Sequence, residues 1–165
     1  MPFTLRPLEE ADIDPVLDLS IAAWEPVFQS FERILGRALF LMEYPDWPKN
    51  QRDAVNGVLR DTEKFTTYVA DVEGEVAGFI SYTVDESAKT GEVYMVAVSP
   101  QYQKRGIGLA LNELALAMMR ERGVRMAVVG TGGDPGHAPA RRTYEKAGYT
   151  ALPLVRYYKD LTEEE

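Results

Sequence analysis

Between Val96 and Gly108 the chain reads Val96-Ala97-Val98-Ser99-Pro100-Gln101-Tyr102-Gln103-Lys104-Arg105-Gly106-Ile107-Gly108, a strand end followed by a Ser-Pro turn and two glycines where a helix begins. Glycine lets backbone N–H groups approach a ligand with no Cβ in the way. The first N–H groups of a helix are unpaired and carry partial positive charge, so a diphosphate suits them. Lys104 and Arg105 add full positive charge beside that turn. A solvent-exposed loop with incidental glycines remains the plain alternative, because a short Gly pattern is a weak motif. No Gly-Lys-Ser/Thr follows, which argues against a nucleoside-triphosphate loop. The position after a hairpin meander, away from a first βαβ crossover, argues against a dinucleotide fold.

The rest of the composition narrows the chemistry. There is no cysteine, which removes disulfides, thiolate metal sites and a cysteinyl acyl-enzyme. A single histidine, His137, leaves no multi-histidine metal centre, and no metal is expected. Asp plus Glu number 26 against 18 Lys plus Arg, a net charge of −8 that favours cationic partners over nucleic acid or an anionic membrane. The start, Met1-Pro2-Phe3-Thr4-Leu5-Arg6, lacks a signal-peptide layout, and no apolar run suits a bilayer span, so a cytoplasmic location is expected. The acids Glu163, Glu164 and Glu165 read as a solvated tail.

The elements that must position the turn follow from pattern. Phe3–Arg6 reads as a short strand, and Glu9–Ala23 and Val27–Tyr44 as two helices separated by Pro26. Pro45-Asp46-Trp47-Pro48 breaks the chain before a third helix at Lys49–Arg60. Thr66–Val72 and Glu75–Val84 then form a hairpin about Glu73-Gly74, and Glu92–Val98 a further strand. Gly106–Arg122 has the clearest apolar stripe, with Ile107, Ala110, Leu111, Leu114, Ala117 and Met118, and Gly123 stops it. A strand at Val124–Gly130, a helix at Ala138–Ala147 and one or two closing strands between Tyr149 and Leu161 complete the pattern. The order predicts an α+β fold with a mixed sheet, in one domain over residues 1–165.

At this point a resemblance becomes specific. Gln103-Lys104-Arg105-Gly106-Ile107-Gly108 resembles the Gln/Arg-x-x-Gly-x-Gly/Ala signature of the GCN5-related N-acetyltransferases, and Val96-Ala97-Val98-Ser99-Pro100 is similar to that family's strand end. Ala140-Arg141-Arg142-Thr143-Tyr144-Glu145-Lys146-Ala147-Gly148-Tyr149 resembles its Ala-x-x-x-Tyr-Glu-Lys-x-Gly-Phe/Tyr segment. The resemblance implies a mixed, mostly antiparallel central sheet splayed between two parallel strands and flanked by helices. Acyl-coenzyme A would lie in the splay.

The resemblance also implies roles. Residues Gln103, Lys104, Arg105, Gly106, Ile107 and Gly108 would hold the coenzyme pyrophosphate, chiefly by backbone N–H. The main chain of Val96 and Val98 would pair with the pantetheine arm, with an N–H at Val98 polarising the thioester carbonyl. Tyr144 would be the general acid for the leaving thiolate, or else a core aromatic on a buried helix face. Glu92, eleven residues before Gln103, is the first choice of general base, with Asp134 second, though many relatives use only water chains. Strand alternation predicts that Glu92 shares a face with Tyr94, Val96 and Val98, opposite Val93, Met95 and Ala97. The family usually has Asn where this chain has His137, seven residues before Tyr144. That residue would either contact coenzyme or substrate, or simply cap its helix. Trp24, Phe28 and Asp134 are the substrate-side candidates, on the view that rings and carboxylates suit a cationic amine.

The expected activity is transfer of an acetyl group from acetyl-coenzyme A to a primary amine by direct attack in a ternary complex. A small polyamine-like or aminoglycoside-like amine comes first on charge, and a peptide N-terminus or lysine second. A non-catalytic acyl-coenzyme-A sensor is the rival class. Nucleic acid is disfavoured by the missing basic stripe. A homodimer is to be sought at Leu154–Lys159.

Overall fold

The computed structural model describes residues 2–162, so Met1 and the acids Glu163, Glu164 and Glu165 lie outside it. Five strands, β1 (Thr4–Pro7), β2 (Thr66–Val72), β3 (Glu75–Asp85), β4 (Thr90–Val98) and β5 (Met126–Val129), form one sheet in chain order. The first three junctions are antiparallel, and β4 and β5 are parallel. Helices α1 (Ile13–Leu35), α2 (Arg37–Glu43), α3 (Trp47–Arg60), α4 (Ile107–Glu121) and α5 (Ala138–Lys146) flank it.

Each sheet face has its own core. On one side Ile107, Leu111, Ala115 and Met119 of α4 pack on Ile80, Tyr82 and Val93. On the other, Val16 and Leu17 of α1 and Val55 and Leu59 of α3 pack on Val69, Phe79 and Ala97. The β2–β3 hairpin turns through Glu73 and Gly74 at φ 53° and 88°, the left-handed pair that a two-residue hairpin matching strand twist requires.

Three expectations are corrected. Pro26 does not end a helix: α1 runs through it to Leu35, and the break comes at Gly36, with φ 76°. A mid-helix proline costs about 3 kcal/mol, but Val16, Leu17 and Leu19 before it and Val27 and Phe28 after it are all buried on one continuous stripe. The closing strands expected between Tyr149 and Leu161 do not form among the described residues, where the segment is irregular. Its Leu152, Leu154, Val155 and Tyr157 are 76–90% exposed, so no sheet edge has taken them up.

The third correction bears on the site. In the β3–β4 register Ser81 faces Met95 and Tyr82 faces Val93, which leaves Tyr94 without a partner. This one-residue bulge inverts the side-chain alternation. Val93, Val96 and Val98 therefore share the α4 side, while Met95 and Ala97 belong to the α1 and α3 side. Glu92, next to Val93, falls on the face opposite the two valines, contrary to plain alternation.

Candidate functional site

The parallel pair β4 and β5 is bonded only over Thr90–Val93 and Met126–Val129. Beyond Val93 the strands part, so Val96 and Val98 have no strand partner on that side, where an extended ligand could pair.

At the open end of β4 the chain makes a tight 3-10 turn, Pro100–Tyr102, and enters α4 through two left-handed residues, Lys104 at φ 63° and Gly106 at φ 81°. No side chain caps α4, so the N–H groups of its first turn remain open to a ligand. A Cβ on Gly108 would meet Thr143 Cγ2 and Val98 Cγ2 at 3.7 Å, which brings β4, α4 and α5 together at one point. The Gln103 side chain donates to the Val98 carbonyl at 3.1 Å, tying the turn to the strand end, and Ile107 is buried in the core. Both therefore offer a ligand their main chain. Arg105 lies 5.3 Å over the Tyr102 ring, whose hydroxyl donates to Glu75.

Tyr144 projects from α5, is 8% exposed, and meets Tyr149 edge-on at 5.9 Å. Its hydroxyl has no hydrogen bond to another described residue, and burial pushes its pKa up to about 12. The Tyr149 hydroxyl, by contrast, is fully buried and unpaired.

His137 occupies the residue before α5, yet its side chain caps nothing, which removes the capping reading. Instead Nδ1 lies 2.5 Å from Asp134 Oδ1, and the imidazole sits 5.6 Å from the Phe31 ring. Burial opposes ionisation of Asp134, but hydrogen bonds from His137 and Ser30 outweigh it and hold the carboxyl below its usual range. Gly136 N–H donates to Asp134 Oδ2 at 2.9 Å and to Ser30 Oγ at 3.2 Å. Arg141 closes the turn through the carbonyls of Gly132 (2.6 Å) and Asp134 (2.7 Å). Ser30, Phe31 and Arg141 are site residues that sequence reasoning missed. For Ser30 the available signal was its place three residues after Val27, on the apolar stripe of α1, though Ser20 is buried in the same helix.

On the acceptor side the candidates separate. Phe28 is buried, stacked on Trp47 at 4.4 Å and closed in by Phe31 and Tyr44, so it supports a wall without facing a ligand. Trp24 is half-buried against Phe79. Glu92 is exposed at a shallow depression of about 350 Å³ shared with Thr83, Asp85, Thr90, Met126 and Val128. No group of three or more metal-type side chains occurs among the described residues, and no described helix is long and apolar enough to cross a membrane.

Three comparisons bear on this geometry. The family model described as Acetyltransferase (GNAT) family matches residues 27–149. A mycothiol acetyltransferase of Saccharomonospora viridis is 31% identical over 65% of this chain and 39% of its own length, so the match spans well under half of that relative. An N-alpha-acetyltransferase of Sulfurisphaera tokodaii is 30% identical over 55% of this chain and 60% of its own. Among solved structures, PaiA N-acetyltransferase from Thermoplasma acidophilum in complex with coenzyme A superposes with a TM-score of 0.71 at 16% identity, covering 94% of each chain. That likeness is one of fold.

Proposed function

Because the chain belongs to the acetyltransferase (GNAT) family, we propose that it transfers an acetyl group from acetyl-coenzyme A to a primary amine by direct attack in a ternary complex. The observation that carries this reading is the conjunction at Gly108: an uncapped α4 start, an unpaired stretch of β4 and the Tyr144 helix meet within one side chain's reach. Acetyl-coenzyme A is a substrate here. Its diphosphate suits the open N–H groups about Gly106 to Gly108, flanked by Lys104 and Arg105, and its pantetheine arm suits the free edge of Val96 and Val98.

The bulge at Tyr94 separates the two substrates. Val96 and Val98 turn to the α4 side, where the donor lies on this reading, and Glu92 turns to the opposite side, from which an amine would enter. Tyr144, buried on the helix whose Thr143 meets Gly108, serves the sulfur as it leaves. Glu92 and the Asp134–His137 pair are the two carboxylate-bearing features on the amine side. The acceptor is a small cationic amine, supported by the net charge of −8 and by relatives named for mycothiol. The relative named as an N-alpha-acetyltransferase supports a peptide N-terminus as the second reading.

The test is thiol release from acetyl-coenzyme A across polyamines, amino sugars and peptides, with the acetylated product identified by mass. Release with no amine of either kind removes the proposal. A melting temperature raised by acetyl-coenzyme A without any turnover points to a coenzyme-binding sensor instead. We also assign Leu154–Lys159 to a contact with a second copy in the cytoplasm, checked by light scattering: a monomer at micromolar concentration refutes it.

A further inference from the structure

We propose that the Asp134–His137 pair is the proton acceptor for the incoming amine, with His137 Nε2 as the atom that takes the proton. The inference rests on the acetyltransferase reading above. Asp134, ionised, can only accept a hydrogen bond, so the 2.5 Å contact requires the proton on Nδ1. A neutral imidazole with Nδ1–H has a bare lone pair on Nε2, the arrangement of a base oriented by a carboxylate.

The surroundings are built for that pair. A Cβ on Gly132 would overlap Asp134 Oδ1 and lie 2.5 Å from His137 Nδ1, so the glycine leaves the room in which the two groups meet. A Cβ on Gly136 would come 2.8 Å from Ser30 Cβ and 3.0 Å from Val27 Cα, so the turn can press on α1 only without one. Gly132 and Gly136 of the 130–136 segment thus have a structural purpose at the pair itself. Asp134 is anchored by Gly136 N–H and Ser30, and Arg141 spends its guanidinium on the turn carbonyls rather than on the carboxylate.

The charged and titratable groups about the imidazole are therefore Asp134 from its own turn, Arg141 from α5, and Tyr44 behind Phe31 on the helical side. The Phe31 ring beside His137 stacks on Tyr44 at 5.5 Å, which sets an aromatic surface where an ammonium would dock. Glu92, by contrast, is exposed and has no hydrogen bond to another described residue to orient it.

In the step, Nε2 takes a proton from R–NH3+. The free amine attacks the thioester carbonyl carbon, the C–N bond forms and the C–S bond breaks. The second nitrogen proton reaches the sulfur by way of Tyr144, and the imidazolium proton passes to solvent.

The test compares wild type, H137Q and D134N over pH 6–11 with one amine, and measures acetyl-coenzyme A affinity in parallel. We expect H137Q to lower kcat/KM about 100-fold at pH 7, at the low end of general-base effects. The gap should close toward pH 10–11, where an ordinary amine of pKa about 10.4 is already free. Coenzyme affinity should stay within about twofold. Because His137 is the single histidine, its imidazole nitrogen NMR signals are unique. They should report Nδ1–H in wild type and lose that preference in D134N. An Nε2–H tautomer, a pH-independent loss in H137Q, or a loss confined to coenzyme affinity each overturns the inference. So does an E92Q variant that alone abolishes the acidic limb. Wild type without turnover on any amine removes the acetyltransferase reading and this inference with it; turnover that H137Q leaves unaltered removes this inference alone.

Discussion

Replacing Tyr144 by Phe removes one oxygen and keeps the ring that meets Tyr149 edge-on. The magnitude follows from the environment of the hydroxyl. Burial pushes the phenol up to about 12, whereas an ordinary thiol ionises near 8.5. Outright transfer of the phenolic proton to a thiolate therefore runs uphill by about 3.5 pKa units, or about 5 kcal/mol. On the proposed mechanism Tyr144 would therefore donate a hydrogen bond to sulfur as charge develops, and pass its proton on only as the proton leaving nitrogen replaces it. A donor aimed at developing charge in a water-poor site contributes about 2.7–4 kcal/mol, so kcat should fall about 100- to 1,000-fold. Folding should respond little. The ring and its packing are kept, and the hydroxyl is not one of the fully buried polar groups left without a partner, so its removal relieves no stranded group. At about 2–4 °C per kcal/mol for a chain of this size, a change of about 0.5 kcal/mol keeps the melting temperature within about 2 °C. The assay is steady-state thiol release, with KM for acetyl-coenzyme A, beside a thermal melt. A kcat within threefold of wild type refutes the role, as does a lower kcat accompanied by a melting temperature several degrees down, which marks a packing residue.

The same phenol gives an alkaline prediction: the folded pKa is raised, so the unfolded chain loses its proton first. Stability should fall by about 1.4 kcal/mol per pH unit between pH 10 and 12, and Y144F should remove that component of the slope in denaturant titrations. Asp12 is 5% exposed and held by Arg6 at 2.7 Å, so R6M, which strands a buried carboxylate, should cost about 3 kcal/mol in chemical unfolding. The hydrogen bond from Arg6 lowers the Asp12 pKa, so this pair stabilises the fold above the ordinary carboxylate pKa of about 4 and is lost as pH falls through the lower folded value. D12N should flatten the acid limb of a melting-temperature profile accordingly. Gly106 stands at φ 81°, so G106A should cost about 1–2 kcal/mol of strain and weaken acetyl-coenzyme A binding measured by calorimetry.

Much of this was legible locally. The Glu73-Gly74 turn, the α4 stripe from Ile107 to Met118 and the glycines at its start state backbone preferences that hold wherever the segment sits. The two motifs about Gly106 and Tyr144 identified the family from residues alone. Tertiary structure decided the rest, because each remaining feature depends on a partner remote in the chain. Pro26 stays inside α1 because both its flanks are buried, Val16 and Leu17 against the sheet and Phe28 against Trp47. Glu92 changes face because β3 pairs past Tyr94, and no alternation rule contains that bulge. Tyr149–Leu161 has strand-like composition, but composition cannot supply the edge it needs. His137 turns to Asp134 instead of capping α5 because Ser30, 106 residues before Gly136, helps to hold the turn in place. A sequence records what each segment prefers; which hydrogen bond a side chain finally makes is set by what the fold brings beside it.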